Sequence, residues 1–186
     1  ELKPFGMSWS TTGDTEVILN GFLAMGTSFF EKLNGIFAFA IYVHQTKELY
    51  LVRDSLGVKP LFYSFDHTAV VFGSEPKALF AYGIHPAADR ACWNEIFSLG
   101  PARTLGNGGF AGIHELLPGE YMHISASGCR HHFFRKLEAV PHHDSYTDTI
   151  RHVRFLLCDS IHRQMVSDIP ICSFLSGGLD SSLVTA

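Results

Sequence analysis

Eight consecutive residues of this sequence are apolar, Ile36-Phe37-Ala38-Phe39-Ala40-Ile41-Tyr42-Val43. A strand that is apolar at every position is typical of a sheet that is covered on both faces. Asn34-Gly35 before the run and Gln45-Thr46-Lys47 after it indicate turns. The run therefore predicts a strand whose two faces are both packed.

Further strands are predicted on the C-terminal side of this run. They are residues 49–54, 61–65, 69–74, 120–125 and 130–134. The turns between them are indicated by Gly57, Pro60, Asp66-His67 and Ser127-Gly128. Hairpins in succession indicate a largely antiparallel sheet.

Helices are predicted on both sides of the apolar run. Thr11-Thr12-Gly13-Asp14-Thr15-Glu16 has the composition of a helix start, with Thr12 or Asp14 as the capping residue. Apolar residues follow at helical spacing, and Gly26 predicts the end of this helix. Phe29, Phe30 and Leu33 predict one more short turn of helix, and residues 76–82 and 94–99 predict two further short helices.

A glycine loop near the end of the sequence suits a phosphate group. Ser176-Gly177-Gly178-Leu179-Asp180-Ser181-Ser182 follows an apolar run, residues 169–175, that predicts a buried strand. Adjacent glycines let backbone N–H groups approach an anion, the three serines add hydroxyl donors, and Asp180 is suited to magnesium. The alternative is an ordinary turn in which Asp180 or Ser181 caps the next helix. No Gly-Lys-Ser or Gly-Lys-Thr occurs, so this is not a Walker loop.

Residues 147–166 predict the helix that precedes this loop. Its apolar face consists of Ile150, Val153, Leu157, Ile161 and Met165, and we expect this face to pack on the sheet of the nucleotide-binding domain. Pro141-His142-His143-Asp144 indicates a linker before the helix.

Composition narrows the range of functions. The 186 residues carry a net charge of −4 with no basic run, which argues against nucleic-acid binding. The longest apolar run is far shorter than the ~20 residues that span a bilayer, so we expect no membrane role. The four cysteines form no Cys-x-x-Cys pair, which favours reduced thiols in a cytoplasmic protein.

These motifs together resemble a known family. The glycine loop and its lead-in, Val166-Ser167-Asp168-Ile169-Pro170, are similar to the pyrophosphate-binding loop of glutamine-dependent asparagine synthetases. The upstream part resembles the class II glutamine amidotransferase domain, which has an N-terminal nucleophile. The matching phrases are Gly13-Asp14-Thr15-Glu16-Val17-Ile18, Leu33-Asn34-Gly35-Ile36-Phe37-Ala38-Phe39-Ala40-Ile41, Arg53-Asp54-Ser55-Leu56-Gly57-Val58-Lys59-Pro60-Leu61-Phe62-Tyr63, Gly73-Ser74-Glu75-Pro76-Lys77-Ala78-Leu79 and Leu117-Pro118-Gly119-Glu120-Tyr121. Their order along the chain is that of an asparagine synthetase.

The resemblance implies an α+β fold in two parts. Residues 1–140 are expected to form a truncated four-layer αββα sandwich of antiparallel sheets, the amidotransferase domain without its N-terminus. Residues 145–186 are expected to supply the first helix, strand and phosphate loop of an α/β adenine-nucleotide α-hydrolase-like domain, the start of the ATP-binding domain.

The resemblance also implies the reaction. In that family ammonia from glutamine displaces AMP from an aspartyl adenylate, which requires ATP and magnesium, so the expected small-molecule partners are glutamine, aspartate and ATP. Two alternatives stay open: a related synthetase that amidates another carboxylate, as β-lactam synthetases and glycan or peptide amidating enzymes do, and an inactive fragment. The family also allows a homodimer.

Site residues follow from the same resemblance. Asp14 matches the aspartate that binds the α-ammonium group of glutamine, although a plain helix cap is the alternative. The residues matching the ATP and pyrophosphate site are Leu175, Ser176, Gly177, Gly178, Asp180, Ser181 and Ser182, with Asp180 also near magnesium. No catalytic nucleophile is expected, because the family uses an N-terminal cysteine and residue one is Glu1. We therefore expect an internal fragment that does not hydrolyse glutamine and is poorly soluble in isolation.

Other polar pairs are interpreted as structural. The histidine pairs are His131-His132 and His142-His143, and because adjacent side chains on a strand point to opposite faces, neither pair is suited to a shared metal ion; a solvated surface or a linker is favoured. Arg53-Asp54 and Ser74-Glu75 lie at strand ends and predict ion pairs or turn caps.

Overall fold

The computed structural model describes residue 6 and residues 8–66, 69–100 and 103–186. The chain divides into two compact units, Glu1–Leu137 and Glu138–Ala186. None of the helices in the described ranges combines the length and the apolar character needed to cross a membrane.

The first unit contains two antiparallel sheets and several helices. Its helices are α1 (Asp14–Met25), a 3-10 helix (Gly26–Lys32), α2 (Pro76–Tyr82) and α3 (Arg90–Leu99). Its strands are β1 (Ala38–Val43), β2 (Glu48–Arg53), β3 (Phe62–Asp66), β4 (Ala69–Gly73), β5 (His114–Glu115), β6 (Glu120–Ser125) and β7 (Gly128–Phe133). The first sheet has the order β1-β2-β6-β7 and the second the order β4-β3-β5. The turn predicted at His67 lies outside the described residues.

The two sheets pack face to face between helical layers. Leu51 and Met122 of the first sheet share a buried core with Tyr63 of the second. On the outer face of the first sheet, Phe30 of the 3-10 helix packs against Tyr121, with ring centroids 5.2 Å apart. On the outer face of the second sheet, Leu79 of α2 joins the buried core there. The predicted αββα sandwich is therefore confirmed.

Strand β1 corrects the prediction of a strand packed on both faces. Among the described residues it lies at the edge of the first sheet and pairs only with β2. Ala40 is exposed, as is 55% of Tyr42. An edge strand of a sandwich borders solvent on one side, so an apolar sequence does not ensure full burial.

Helix α3 and strand β5 show the largest differences from the predictions, while the bounds of β2, β3, β4, β7 and α4 differ by one or two residues. Helix α3 begins at Arg90, four residues before the predicted start, because the Asp89 carboxylate accepts a hydrogen bond from the Cys92 N–H at 2.9 Å. Strand β5 is only two residues long, and its sequence carries no strand signal of its own because its pairing with β3 is a long-range contact. The bounds of α2 and β6 are those predicted.

Arg53 and Asp54 join β2 to the segments that follow it. The buried Arg53 guanidinium forms an ion pair with Glu115 at 2.9 Å and donates to the carbonyl groups of Leu116, Gly57 and Lys59. The Asp54 carboxylate accepts the N–H groups of Leu56, Val58 and Lys59 at 2.9–3.1 Å. This dipeptide therefore forms an ion pair and a turn cap, as the sequence predicted. Glu75 likewise pairs with Lys77 at the start of α2.

The second unit contains helices α4 (Tyr146–Gln164) and α5 (Leu179–Thr185). The Ser145 hydroxyl caps α4 by accepting the Asp148 N–H at 3.2 Å. The strand predicted at residues 169–175 is not formed, because a strand needs a hydrogen-bonded neighbour and residues 138–186, all of which are described, contain none. For the same reason α4 packs on no sheet within this unit, and Ile150 and Val153 are more than half exposed.

We expect Arg53→Lys to lower the free energy of unfolding by about 3 kcal/mol, because lysine cannot supply the planar fork that serves the buried Glu115 and the carbonyl groups together. Urea unfolding followed by far-UV circular dichroism measures the change. Arg130→Lys is the matched control, since Arg130 is exposed and has no partner among the described residues; its effect should stay within about 0.5 kcal/mol. Equal effects of the two substitutions would contradict the structural role of Arg53.

Candidate functional site

Helix α1 begins with an arrangement of hydrogen bonds centred on Glu16. Gly13 is the N-cap residue, so the predicted capping by Thr12 or Asp14 is wrong. Instead the Glu16 carboxylate accepts the N–H and hydroxyl groups of Ser10 at 2.8 and 2.9 Å, and those of Thr11 at 2.7 and 2.6 Å. The sequence signal that could have predicted this arrangement is a glutamate three residues after the N-cap, the position of the acid in a capping box. The Thr11 and Ser10 donors lower the pKa of Glu16 to about 2.

Asp14 is left without a structural role at this helix start. Its side chain is exposed and has no hydrogen bond or ion pair within the described part of the chain. The alternative interpretation of Asp14 as a helix cap is therefore wrong. A free carboxylate at the first position of a rigidly held helix is suited to binding a cation such as an ammonium group.

The position of α1 is set by aromatic contacts with the first sheet. Phe22 of α1 packs on Tyr50 of β2, with ring centroids 5.1 Å apart. Gly21 faces the ring of Phe29, and a Cβ atom at this position would lie 2.2 Å from the Phe29 Cζ atom. The absence of a side chain at Gly21 therefore lets the 3-10 helix fold back against α1, which fixes where Asp14 lies on the first unit.

The glycine loop of the second unit brings several predicted residues together. Gly177 has φ +84°, in the left-handed region that favours glycine, and Gly178 is the N-cap residue of α5. The Ser176 and Ser181 hydroxyls are 3.0 Å apart, and the hydroxyls of Ser181 and Ser182 donate to the Gly178 carbonyl at 3.1 and 2.8 Å. The alternative in which Asp180 or Ser181 caps α5 is wrong, because α5 has no side-chain cap.

The loop fits an anion better than a bare metal ion. With no side-chain cap, the first N–H groups of α5 have no intrahelical acceptor and can bind anionic oxygens. In the described ranges no three His, Cys, Asp or Glu side chains are grouped as metal ligands. Asp180 is a single exposed carboxylate, and Mg²⁺ is commonly held by one or two carboxylates together with substrate phosphates. Leu175 is 63% exposed beside the loop.

Two polar pairs on the first sheet were missed by the sequence analysis. The His131 Nδ1 atom lies 2.7 Å from the buried Glu120 carboxylate, so the assignment of this histidine to a solvated surface is only partly right. Its neighbour His132 stacks on Tyr121 with ring centroids 5.0 Å apart, which confirms that the two histidines point to opposite faces. The His123 Nε2 atom lies 3.3 Å from the Glu48 carboxylate. In each pair the histidine and the glutamate come from different strands, so the local sequence carries no signal for the pairing.

Comparisons with known structures identify the class of fold. A glutamine phosphoribosylpyrophosphate amidotransferase from Bacillus subtilis superposes with a TM-score of 0.51 and 22% identity, covering 72% of this chain and 25% of that one. At this identity the likeness concerns the fold, the αββα sandwich of the N-terminal-nucleophile amidotransferases. The chain belongs to the family of glutamine amidotransferase domains, whose family model matches residues 1–135. The asparagine synthase family model matches residues 152–186.

Curated relatives cover both parts of the chain. Asparagine synthetase [glutamine-hydrolyzing] 3 of Bacillus subtilis is 44% identical over the whole chain, which covers 30% of that protein. Asparagine synthetase [glutamine-hydrolyzing] 2 of the same organism is 33% identical over 95% of the chain and 25% of its own length. Amidase chyE of Penicillium rubens is 30% identical over 93% of the chain and 26% of its own length. The chain therefore spans less than a third of the length of these relatives.

We expect the Ser10 and Thr11 amide signals to titrate with Glu16, at a pH near 2. Because the pKa of Glu16 is lowered from 4.5 to about 2, the hydrogen bonds at this helix start are complete above pH 4.5 and are lost as the pH falls through 2. NMR spectra recorded during an acid titration follow both amides. The transition should be absent in Glu16→Gln, and a midpoint near 4.5 in the unmodified protein would contradict the arrangement.

Proposed function

We propose that the polypeptide containing this chain is a glutamine-hydrolysing asparagine synthase. The observation that carries the proposal is the succession, in one chain, of a glutamine amidotransferase domain and the start of an asparagine synthase domain. Ammonia is released from glutamine, ATP converts the side-chain carboxylate of aspartate to an acyl adenylate, and ammonia displaces AMP to form asparagine. The similarity to two asparagine synthetases of Bacillus subtilis supports aspartate, and not another carboxylate, as the amide acceptor in this proposal.

Asp14 binds the α-ammonium group of glutamine in this proposal. Three features support the assignment: the carboxylate is exposed, it has no partner among the described residues, and it is not needed to cap α1. Helix α1 is docked on the first sheet through Phe22, so the carboxylate is presented from a fixed element. An ion pair with a fixed carboxylate orients glutamine by its amino-acid end and leaves the amide group free for attack.

The glycine loop binds the pyrophosphate part of ATP. The N–H groups at the start of α5 and the hydroxyls of Ser176, Ser181 and Ser182 would donate to phosphate oxygens, after rotating away from their bonds within the loop. The Leu175 backbone would contact the nucleotide, and Gly177 and Gly178 shape the loop. Magnesium near Asp180 would screen the charge of the phosphates. The uncapped N–H groups at the start of α5 are already placed to stabilise the departing pyrophosphate, which favours cleavage between the α and β phosphates.

The activity is tested on the complete polypeptide that contains this chain. With glutamine, aspartate, ATP and magnesium, the proposal requires asparagine, glutamate, AMP and pyrophosphate as products. Pyrophosphate release that depends on a carboxylate other than aspartate would move the assignment to a related synthetase. No pyrophosphate release with any carboxylate would overturn it.

We expect Asp14→Asn to lower kcat/KM for glutamine about 100-fold, mainly through KM, because the amide cannot balance the ammonium charge. Asparagine synthesis driven by ammonium chloride should keep its rate, since that reaction bypasses the glutamine site. Initial rates with the two nitrogen sources make the comparison. Glu31→Gln, which removes an exposed carboxylate on the 3-10 helix, is the charge control and should change neither rate. An equal loss of the rate of asparagine synthesis with glutamine and with ammonium chloride would contradict the role of Asp14.

Asp180→Ala should lower the rate with both nitrogen sources, because adenylation precedes the step at which ammonia enters. We expect kcat/KM for magnesium-ATP to fall at least about 30-fold, because the magnesium ion loses a negatively charged partner. Glu138→Ala, at an exposed position in the same unit, provides the control. Unchanged aspartate-dependent pyrophosphate release in Asp180→Ala would exclude Asp180 from the nucleotide site.

A further inference from the structure

Three side chains with complementary chemistry meet on the inner face of the first sheet, outside the sites described above. Cys129 and His131 are two residues apart on β7 and therefore point to the same face. The Cys129 Sγ atom is 3.8 Å from the His131 Nε2 atom, within hydrogen-bond reach for sulfur. The His131 Nδ1 atom is 2.7 Å from the Oε1 atom of Glu120 on β6. A thiol, an imidazole and a carboxylate are thus connected in series.

Glu120 determines which nitrogen of His131 carries the proton. Its side chain is 5% exposed, and its Oε2 atom accepts the Leu117 N–H at 2.7 Å. A carboxylate can only accept hydrogen bonds, so the His131 Nδ1 atom must donate to the Oε1 atom. In this tautomer the lone pair of the Nε2 atom faces the Cys129 thiol. The arrangement is that of a nucleophile, a base and a group that orients the base.

We propose that Cys129 is a reactive thiol that exchanges with small disulfides, with His131 as its proton acceptor and donor. The Cys129 thiol gives its proton to the His131 Nε2 atom while its sulfur attacks one sulfur of the disulfide. A new S–S bond to Cys129 forms, the S–S bond of the reagent breaks, and the leaving thiolate takes the proton from His131. The products are a mixed disulfide at Cys129 and one free thiol, so atoms and electrons balance with the disulfide as the oxidant.

The surroundings of the thiol favour a small disulfide over an acyl substrate. Cys129 is exposed and the His131 side chain is 40% exposed, on a strand at the edge of its sheet. A cavity of about 470 Å³ elsewhere in the first unit is lined by Ser64, Phe65 and the segment around Tyr82, and none of the three side chains lines it. Disulfide exchange develops charge only on sulfur and needs no pocket for an oxyanion.

The electrostatic surroundings of Cys129 oppose ionisation of its thiol, so its reaction rate can be compared with the rates of the other cysteines to measure the effect of His131. Burial and the nearby Glu120 charge raise the pKa of the Cys129 thiol, and Tyr63, across the core, has its pKa raised to about 12 by burial together with the charges of Glu120 and Cys129. Without proton transfer to His131, Cys129 would therefore react more slowly than an ordinary exposed thiol. Cys158 and Cys172 are exposed thiols with no partner in the described part of the chain, so the molecule contains its own references.

The experiment exposes the protein to oxidised glutathione at pH 7 and measures glutathione addition at each cysteine by peptide mass spectrometry over time. A positioned general base contributes about 100-fold or more, and the raised pKa of the Cys129 thiol offsets part of this gain, so we expect Cys129 to react at least about tenfold faster than Cys158 and Cys172. A rate at Cys129 equal to or below theirs would overturn the proposal. This comparison uses the unmodified protein and does not depend on the folding of a variant.

A matched pair of variants tests the role of His131. His131→Gln should lower the rate at Cys129 about tenfold or more and leave the rate at Cys158 unchanged. His132→Gln removes the adjacent histidine on the opposite face of β7 and should leave Cys129 at its original rate. Equal rates at Cys129 in the two variants would show that His131 takes no part in the exchange.

Discussion

The buried ion pair between Arg53 and Glu115 is the interaction on which the first unit depends. Arg53 ends β2 of the first sheet, Glu115 belongs to β5 of the second, and the same guanidinium donates to Gly57 and Lys59 in the loop between β2 and β3. A charge taken out of water is tolerated only where its hydrogen-bonding groups are satisfied. The path of the chain from one sheet to the other is therefore set by the requirement to satisfy one guanidinium group.

The first sheet also determines where the candidate glutamine-binding residue lies. Its outer face is lined with aromatic rings, and Phe22 and Phe30 hold α1 and the 3-10 helix against that face. Glu16 holds the residues before the helix with four hydrogen bonds, and Asp14 makes no hydrogen bond or ion pair with any residue that the structure describes. The inner face carries Cys129, His131 and Glu120 at its edge. One sheet thus supports two different kinds of polar site, on opposite faces.

The glycine loop of the second unit forms from local interactions. Gly177 supplies the left-handed conformation, and three serine hydroxyls bond within the loop without any contribution from a strand. Residues 169–175, in contrast, have no partner strand in residues 138–186 and form no ladder. Turn chemistry is encoded within a few residues, whereas a strand exists only when a neighbour is present.

The sequence by itself determined the elements whose causes are local and the family to which they belong. Periodicity and turn residues predicted the bounds of α2 and β6, the glycine loop and the antiparallel strands, and the resemblance to the amidotransferase family predicted the αββα sandwich. Tertiary structure decided that β1 lies at an edge of the sheet formed by the described residues, that β5 exists, and that Glu120 faces His131. Each of these depends on which distant segment becomes a neighbour, since burial and pairing are properties of two segments and local pattern describes only one.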